Sequence, residues 1–342
     1  MSSPGNTRKG IVMNEQNRED IVFNRLTRTL TVTDMRSAAQ VRILQLTHRA
    51  LAPLGYLGIS RVHGAINAIL RPQSDTMIIE GSWKFRYPSN DYYWNRLLDA
   101  GWHYEPEIDS VLRKFANLPF VFIDLGANFG FWSSRMAIGL YGQHNTVAVE
   151  ASNHCLRILQ RNIEGARWPV RVYHRAIDEV SARRLNLFGT RHAGLSIDES
   201  WYGASSTMAN IVETISIDDL FANEGIDSVA TPTIIKLDVE GVELRALKGA
   251  KNTIAGQSLW LIEDAEKRTV SQAVRHAVDD LGMTLHLIES DKIRRVESLD
   301  EVYELKRRQT AIQATGLNLI ATSSNYWLET IRGSSAESEG VG

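Results

Sequence analysis

The stretch VFIDLGANFG, residues 121–130, decides how this chain is interpreted. Its first three residues are apolar, which predicts a buried strand, and Asp124 ends the run. The turn that follows places small or polar residues at alternate positions: Gly126, Asn128 and Gly130. Ligands bind outside the carboxyl ends of parallel strands, so a strand that ends at an acid and a glycine-rich turn predicts a binding site.

The composition is that of a globular protein with a sizeable core, because 43% of the 342 residues are hydrophobic and 23% are charged. The formal net charge of −2 provides no overall positive field that would attract nucleic acid. Cys155 is the only cysteine, which excludes an internal disulfide. The N-terminal segment MSSPGNTRKG is polar, and no apolar run reaches the ~18 residues of a membrane span. We therefore expect a cytoplasmic protein.

The chain before the strand at residue 121 predicts a tail and an extension. Residues 1–20 are polar and predict a disordered tail, as do residues 333–342 at the other end. Residues 21–117 predict an N-terminal extension of helices and one hairpin, with strands at Thr76–Glu80 and Lys84–Tyr87.

Within this extension, residues 35–74 contain no Asp, Glu or Lys. They contain five arginines: Arg36, Arg42, Arg49, Arg61 and Arg71. Apolar residues recur at helical spacing until Pro53 and Gly55 interrupt them. A basic amphipathic helix over 36–71 can lie on an anionic membrane surface or bind a partner. The alternative is a helical pair that packs on the main domain, and the sequence leaves both open.

From residue 118 the pattern changes to alternating strands and helices. Strands are predicted at 121–124, 146–150, 170–174, 233–238 and 258–263, with two more in MTLHLIES and GLNLIATS. Helices are predicted at 130–142, 153–164 and 241–253. This alternation predicts an α/β fold with a doubly wound, mostly parallel sheet of about seven strands in residues 118–330. An irregular stretch, 181–212, predicts a lid-like insertion.

The turn after Asp124 could bind either of two kinds of cofactor. A dinucleotide would require G-x-G-x-x-G, but Asn128 stands at the second glycine position. S-adenosylmethionine has no phosphate; its ammonium suits Asp124, and open backbone at Gly126 and Gly130 makes room for its amino-acid tail. Glu150, which ends the next strand, can accept hydrogen bonds from both ribose hydroxyls. The pattern therefore favours S-adenosylmethionine.

Further residues complete the predicted cofactor site. At the third strand end, Ala176 and Ile177 would flank an adenine, and Asp178 would accept a hydrogen bond from its amino group. A plain strand-to-turn acid explains Asp178 equally well. Ala127, inside the glycine turn, and Ala151, after the ribose acid, are the remaining members.

The segment TIIKLDVEGVELRALKGA, residues 233–250, carries the second signal. Lys236 lies inside an otherwise apolar strand, where an unpaired charge would be costly. We therefore expect it to pair with an acid, and the candidates are Asp238, Glu240 and Glu263. Such a pair either fixes the loop or takes part in catalysis, and its place at a strand end beside the cofactor favours catalysis.

Together these segments resemble the FkbM-type S-adenosylmethionine-dependent methyltransferases. The resemblance runs from about Ile78 to Ser323 and rests on VFIDLGANFGFWS, VAVEASNHCLRILQRNI, ISIDDL and IIKLDVEGVELRALKGA. Upstream, LLDAGWHYEPE resembles the family's glycine–tyrosine–glutamate stretch. The family usually has Glu-Pro at the ribose acid, whereas this chain has Glu150-Ala151, which keeps the carboxylate. The resemblance implies a class I, Rossmann-like sheet and methyl transfer to a hydroxyl of a sugar, glycolipid, polysaccharide or polyketide.

In that chemistry, Asp238 would contact the hydroxyl and Lys236 would orient it or tune its charge. Glu240 and Glu263 would complete a polar floor. Asp238 and these two acids could instead hold a divalent ion, although a metal-free site is the first expectation.

Other side chains and functions remain open. His103, His174 and His192 are alternative bases, and Trp201 and Tyr202 in the insertion could stack on a sugar. An RNA methyltransferase is opposed by the near-neutral charge, although the arginine-rich segment favours it. The chain lacks the second glycine that a nicotinamide-dependent oxidoreductase would need. A non-catalytic scaffold would not need the Lys-x-Asp-x-Glu motif. A small or carbohydrate-containing acceptor is the expected partner, and a homodimer stays open.

Overall fold

The computed structural model describes residues 11–13, 20–54, 56, 58–70, 75–189, 195–198, 200, 208–266, 268–289, 292–308 and 316–336. Contacts divide the chain into two compact units, Met1–Tyr104 and Glu105–Gly342. The boundary therefore lies after Tyr104, earlier than the position 117 expected from sequence. Among the described helices, none is long and apolar enough to cross a bilayer.

The first unit contains a five-stranded sheet of order β1-β3-β2-β4-β5. The strands are β1 Ile11–Met13, β2 Asp20–Asn24, β3 Thr29–Val32, β4 Asp75–Glu80 and β5 Trp83–Pro88. The predicted hairpin is present as β4 and β5, with Ile78 opposite Phe85. The sequence prediction missed the first three strands, and a disordered tail over all of 1–20 was wrong because Ile11–Met13 pairs along β3.

Two helices, α1 Met35–Leu51 and α2 Ile59–Leu70, join β3 to β4, as the spacing of apolar residues predicted. Asp34 begins α1: its carboxylate accepts hydrogen bonds from the backbone N–H of Arg36 at 2.8 Å and of Ser37 at 3.0 Å. The inner side of α1 faces the segment after β5, where the Gln40 and Gln45 side chains donate to the carbonyls of Ser89 and Leu98.

The second unit is an α/β sandwich around an eight-stranded sheet of order β15-β14-β16-β13-β12-β6-β7-β8. In chain order its strands are β6 Val121–Leu125, β7 Asn145–Glu150, β8 Val170–His174, β9 Ala176–Ile177, β10 Arg184–Phe188, β11 Met208–Ile215, β12 Thr233–Leu237, β13 Ser258–Asp264, β14 Thr284–Glu289, β15 Lys292–Arg295 and β16 Leu317–Thr322. All seven predicted sheet strands are present, and the doubly wound, mostly parallel architecture is confirmed. The eighth strand is β15, whose charged sequence KIRR gave no strand signal.

The helices of this unit are α3 Pro106–Lys114, α4 Phe131–Ala137, α5 Asn153–Ile163, α6 Ile217–Glu224, α7 Glu243–Lys248, α8 Lys251–Ala255, α9 Gln272–Asp279, α10 Leu299–Arg308 and α11 Asn325–Ala336. The single helix predicted at 241–253 is divided at Gly249 into α7 and α8. The predicted tail at 333–342 begins inside α11; its residues 337–342 lie outside the described chain.

The stretch predicted to be irregular, 181–212, is partly regular. β10 and β11 pair antiparallel, and β11 continues into a parallel pairing with β9, which forms a separate three-stranded sheet. Leu187 and Val212 bury their side chains against Ala176. Residues 190–194, 199 and 201–207, with His192, Trp201 and Tyr202, lie outside the described residues.

The chain order reverses beside β6, because it proceeds to β7 and β8 on one side and returns to β12 on the other. Such a reversal opens a crevice at the carboxyl ends of the strands. Gly126 lies there with a φ of 80°, and its N–H donates to the carbonyl of Val149 at 3.0 Å. A Cβ on Gly126 would lie 1.8 Å from the backbone carbonyl oxygen of Asp238. The turn after β6 and the turn after β12 therefore touch through a glycine.

We predict that Gly126→Ala lowers the free energy of unfolding of the second unit by about 3 kcal/mol or more, because a left-handed φ and a backbone collision are combined. Gly225→Ala is the matched control, since Gly225 has a φ of 65° and open space around its Cα. It should cost only about 1–2 kcal/mol, the conformational part alone. Urea unfolding followed by circular dichroism measures both, and equal losses would contradict the packing argument.

Candidate active site

The crevice beside β6 is a cleft built from four strand ends. Its lining includes six of the residues predicted to bind cofactor: Gly126, Asn128, Glu150, Ala151, Ala176 and Ile177. Two predicted catalytic residues, Asp238 and Glu240, line the same cleft. The two sequence signals, which are more than a hundred residues apart in the chain, therefore meet at one place.

Glu150 ends β7 with a carboxylate that is held by backbone donors. Its Oε1 accepts from the N–H of Ser152 at 2.6 Å, and its Oε2 accepts from the N–H of Asn128 at 2.7 Å. Asn128 adopts a φ of 53°, which turns its N–H toward the acid. Each carboxylate oxygen can accept a further hydrogen bond, so both can still receive a hydroxyl. Burial raises the pKa of Glu150 to about 7, although these N–H groups partly offset it.

Three other residues predicted to bind cofactor lie behind the cleft wall. Asp124 is buried, and its Oδ2 accepts from the Ser133 hydroxyl at 2.5 Å. Ala127 packs in a small apolar cluster with Leu159, and a Cβ on Gly130 would lie 3.0 Å from the same leucine. These residues therefore shape the turn, and the predicted contact between Asp124 and an ammonium group stays a prediction.

The structure gives Asp178 a different role from the predicted contact with adenine. Its fully buried carboxylate receives two hydrogen bonds from Arg245, at 2.8 and 2.6 Å, and another from Arg183. Asp178 does not line the cleft. With both oxygens engaged by guanidinium groups, it joins the β9–β10 turn to α7.

The sequence prediction missed several residues that line the cleft. The β10 strand and the segment after residue 194 contribute an apolar group: Leu187, Leu195 and Ile197. Arg175 also lines the cleft and pairs with Glu213 at 3.2 Å. The only available signal was that 181–212 is long, because a short strand in a polar insertion does not show which cavity its apolar residues face.

A second, polar group of side chains lies where β12 ends. Lys236 is 3% exposed, and its Nζ lies 2.6 Å from Asp238 Oδ2 and 3.8 Å from Glu105 Oε2. The predicted pairing of Lys236 with Asp238 is present. Across the sheet, Lys236 is in register with Asp124 on β6.

Glu105 belongs to this group, although the sequence analysis gave it no role. It precedes α3 with a φ of 41°, and its Oε2 accepts from the indole N–H of Trp132 at 2.8 Å. The signal for it was present in the sequence, because Glu105 lies in the upstream stretch that resembles the FkbM family. Glu263 on β13 completes the group. We call Lys236, Asp238, Glu105 and Glu263 the lysine–acid cluster.

The pKa values of the members of this cluster are shifted by burial and by one another. Burial alone would lower the pKa of Lys236, but the carboxylates of Asp238, Glu105 and Asp124 raise it above its ordinary value, so the lysine stays charged. Burial raises the pKa of Glu105. Burial, reinforced by Asp238 and Glu105, raises the pKa of Glu263 well above its usual range. Burial therefore shifts Glu263 toward its neutral form, which can donate a hydrogen bond.

One carboxylate oxygen from each of Glu105, Asp238 and Glu263 lies within 4.8 Å of the others, as a cation site would require. The predicted metal triad named Glu240, whereas the described residues bring Glu105 into that position. Glu240 instead lines the cleft with a φ of 52°. The ammonium of Lys236 already supplies a positive charge to these carboxylates.

Of the three histidines proposed as bases, His192 lies outside the described residues and His103 belongs to the first unit. The ring of His174 contacts the carbonyl oxygen of Ala151 at 3.0 Å and does not line the cleft. Asp238 is therefore the group that both lines the cleft and contacts the charged lysine.

The residues present fit S-adenosylmethionine. Glu150 can accept from two vicinal hydroxyls, and Ala176, Ile177 and Leu187 provide an apolar wall suited to an adenine.

A comparison with sequence models of protein families agrees with this fit. The sequence model of the methyltransferase FkbM domain matches residues 124–289. No curated protein matches the chain significantly in sequence. Among solved structures, the chain is similar to a TehB-like SAM-dependent methyltransferase from Corynebacterium glutamicum, at 12% identity and a TM-score of 0.37 over 68% of this chain and 94% of that one.

Two further solved structures are similar to the chain at comparable sequence identity and TM-score. A SAM-dependent O-methyltransferase from Thermotoga maritima is 10% identical, with a TM-score of 0.33 over 76% of this chain and 82% of that one. A precorrin-6y C5,15-methyltransferase from Geobacter metallireducens is 14% identical, with a TM-score of 0.33 over 64% and 87%.

Glu150 should make cofactor binding depend on pH. Only the ionised carboxylate accepts from two hydroxyls, so the affinity for S-adenosylhomocysteine should rise about tenfold from about pH 6 to about pH 8, through the pKa near 7. Glu150→Gln should bind more weakly by about 1–3 kcal/mol and lose this pH dependence. Calorimetry across that pH range measures both.

Glu243→Gln is the matched control, because burial also raises the pKa of Glu243 to about 7 while its Oε1 accepts from the backbone N–H groups of Val239 and Gly241. This variant should keep the pH dependence of the wild type. A flat pH profile in the wild type, or the same profile in Glu150→Gln, would contradict the ribose assignment.

Proposed function

Since residues 124–289 form a methyltransferase FkbM domain and the chain is thus an S-adenosylmethionine-dependent methyltransferase, we propose that it methylates a hydroxyl oxygen. One observation carries the proposal: Asp238 lines the cofactor cleft while its Oδ2 is held by Lys236 at 2.6 Å. A carboxylate at the border between the cofactor and a charged cluster suits an acceptor that must lose a proton.

S-adenosylmethionine, when bound, supplies the methyl group as an electrophilic carbon on a positively charged sulfur. The chain must orient the acceptor and take up its proton. Within the described residues, Lys236 is the side-chain donor to Asp238 and uses Oδ2. Oδ1 is therefore left to accept the hydrogen bond of the acceptor hydroxyl and then its proton. Lys236 keeps the carboxylate in place.

Glu263 has a complementary role in this proposal. Its raised pKa favours the neutral acid, so its O–H can donate to an oxygen of the acceptor next to the one that is methylated. A site that accepts from one oxygen and donates to another suits vicinal hydroxyls. This supports an acceptor of the sugar, glycolipid, polysaccharide or polyketide class rather than an isolated alcohol.

The insertion 181–212 is proposed to cover the acceptor. Leu195, Ser196 and Ile197 support this because they already line the cleft beside Asp238. Ser196 is tied to β10 by backbone hydrogen bonds to and from Phe188 at 3.0 and 2.8 Å.

Asp238→Asn should lower turnover by about a hundredfold or more, because the amide keeps the shape but cannot take up a proton. Its affinity for S-adenosylhomocysteine should stay within about threefold of the wild type. Glu240→Gln is the comparison variant: it removes a charge from the same cleft, keeps both members of the Lys236–Asp238 pair unchanged, and should cost less. Turnover is measured by transfer of labelled methyl into an extract that contains the acceptor.

Chelation separates a base from a metal ligand in the same experiment. If Asp238 takes up the proton, a chelator leaves wild-type turnover unchanged. If Glu105, Asp238 and Glu263 hold a divalent ion, the chelator abolishes turnover and added metal restores it. Near-normal turnover of Asp238→Asn, insensitive to chelator, would rule out both roles.

A substitution at Gly316 can displace the side chain of Glu263 while Glu263 itself is kept. A Cβ on Gly316 would lie 2.1 Å from Glu263 Oε1, and alanine can adopt the φ of this glycine. Gly316→Ala should therefore raise the KM for the acceptor about tenfold, the scale of one lost hydrogen bond, while cofactor affinity is unchanged. Glu263→Gln, which still donates through its amide, should be milder than Glu263→Ala. Equal losses in these two variants would show that Glu263 acts as a charged carboxylate.

A further inference from the structure

The outward side of the helix pair in the first unit is unusually apolar. Twelve large apolar side chains are exposed in the described chain, and six of them lie within residues 35–69. Single exposed apolar residues need no explanation, but such a concentration marks an interaction surface. The exposed fraction reaches 66% for Leu46 and 79% for Ile69.

These side chains share the outer sides of their helices. At 3.6 residues per turn, Met35, Ile43 and Leu46 project from one side of α1, opposite the buried Val41 and Leu44. On α2, Val62 and Ile69 lie together along one flank of the side that buries Ile59 and Ile66. The buried sides face inward, where the side chains of His48 and His63 meet at 3.0 Å. We call the exposed sides of α1 and α2 the outer helix surface.

Arginines flank this apolar strip. On α1, Arg42 and Arg49 lie along one border of the exposed side and Arg36 along the other, and α2 adds Arg61. Within the described residues, none of these four forms an ion pair with a carboxylate. Residues 35–74 carry a formal charge of +5, from five arginines and no acid, so the rest of the chain carries −2 − 5 = −7. Positive charge is therefore concentrated in residues 35–74, and the rest of the chain has a negative net charge.

We propose that the outer helix surface docks on an anionic lipid membrane, lying in the plane of its interface. Aliphatic side chains bordered by arginines and free of acids match that boundary: the aliphatic groups enter the acyl layer while the guanidinium groups reach the lipid phosphates. Single-stranded RNA fits less well, because its binding sites stack bases on aromatic rings, and the exposed large side chains here are aliphatic. The surface lies outside the family-matched residues 124–289, so it is a property of this chain rather than of the domain.

The test is flotation of the full chain with vesicles of phosphatidylcholine, with and without added phosphatidylglycerol. Binding should require the anionic lipid and weaken as salt is raised. The combined change Arg36→Gln, Arg42→Gln and Arg49→Gln should weaken it about a hundredfold, at roughly fivefold per arginine. Leu46→Gln with Ile69→Gln should weaken it about tenfold or more, because two aliphatic groups no longer enter the acyl layer.

Two control variants separate this surface from charge and folding effects. Arg157→Gln, Arg275→Gln and Arg308→Gln remove the same charge from other exposed positions and should leave binding within about twofold. Arg36→Lys, Arg42→Lys and Arg49→Lys keep the charge and should keep binding. The proposal is overturned by equal binding to vesicles without phosphatidylglycerol, by equal loss in the control triple variant, or by binding to single-stranded RNA in place of vesicles.

Discussion

The structure of the second unit depends on burying one positive charge, that of Lys236, in the middle of an apolar sheet. A buried ammonium is tolerated only when acids surround it with good geometry. Asp238 meets it from the following turn at 2.6 Å, Glu105 from the start of α3 at 3.8 Å, and Asp124 from the neighbouring strand. The lysine therefore fixes three separate parts of the chain around one point, and that point borders the cofactor cleft.

Three residues with a left-handed backbone lie around the same point. Glu105, Asn128 and Glu240 have φ values of 41°, 53° and 52°, a region that costs a non-glycine residue about 1–3 kcal/mol. The conformation of Asn128 directs its N–H to Glu150, and the carboxylate of Glu105 is held beside Lys236 and Trp132. Each of these three residues belongs to the cleft or to the lysine–acid cluster, where orientation matters more than local stability.

The sequence predicted the features of the fold that depend on short stretches of residues. The seven main strands were readable because apolar runs such as VFIDL and TIIKL are buried on both faces of a parallel sheet. Strand β15 was not, because an edge strand with the sequence KIRR buries only Ile293. The pairing of Asp178 with Arg245 was not predicted because the two residues are 67 positions apart, and no local pattern reports such a pairing. Glu105 lies in a segment that resembles the FkbM family, but no chemistry was predicted for it, since only the fold brings it to Lys236.

Charge is used in opposite ways in the two units, each taken by itself. In the lysine–acid cluster of the second unit the buried Lys236 is paired with acids, so these charges act over hydrogen-bond distances on one small acceptor. On the outer helix surface the arginines are spread along two helices and not paired with described acids, so their attraction extends to about a Debye length, ~8–10 Å. The first arrangement suits chemistry on a single hydroxyl, and the second suits recognition of an extended anionic surface. A chain that carries both has the means to act where its acceptor is held on such a surface.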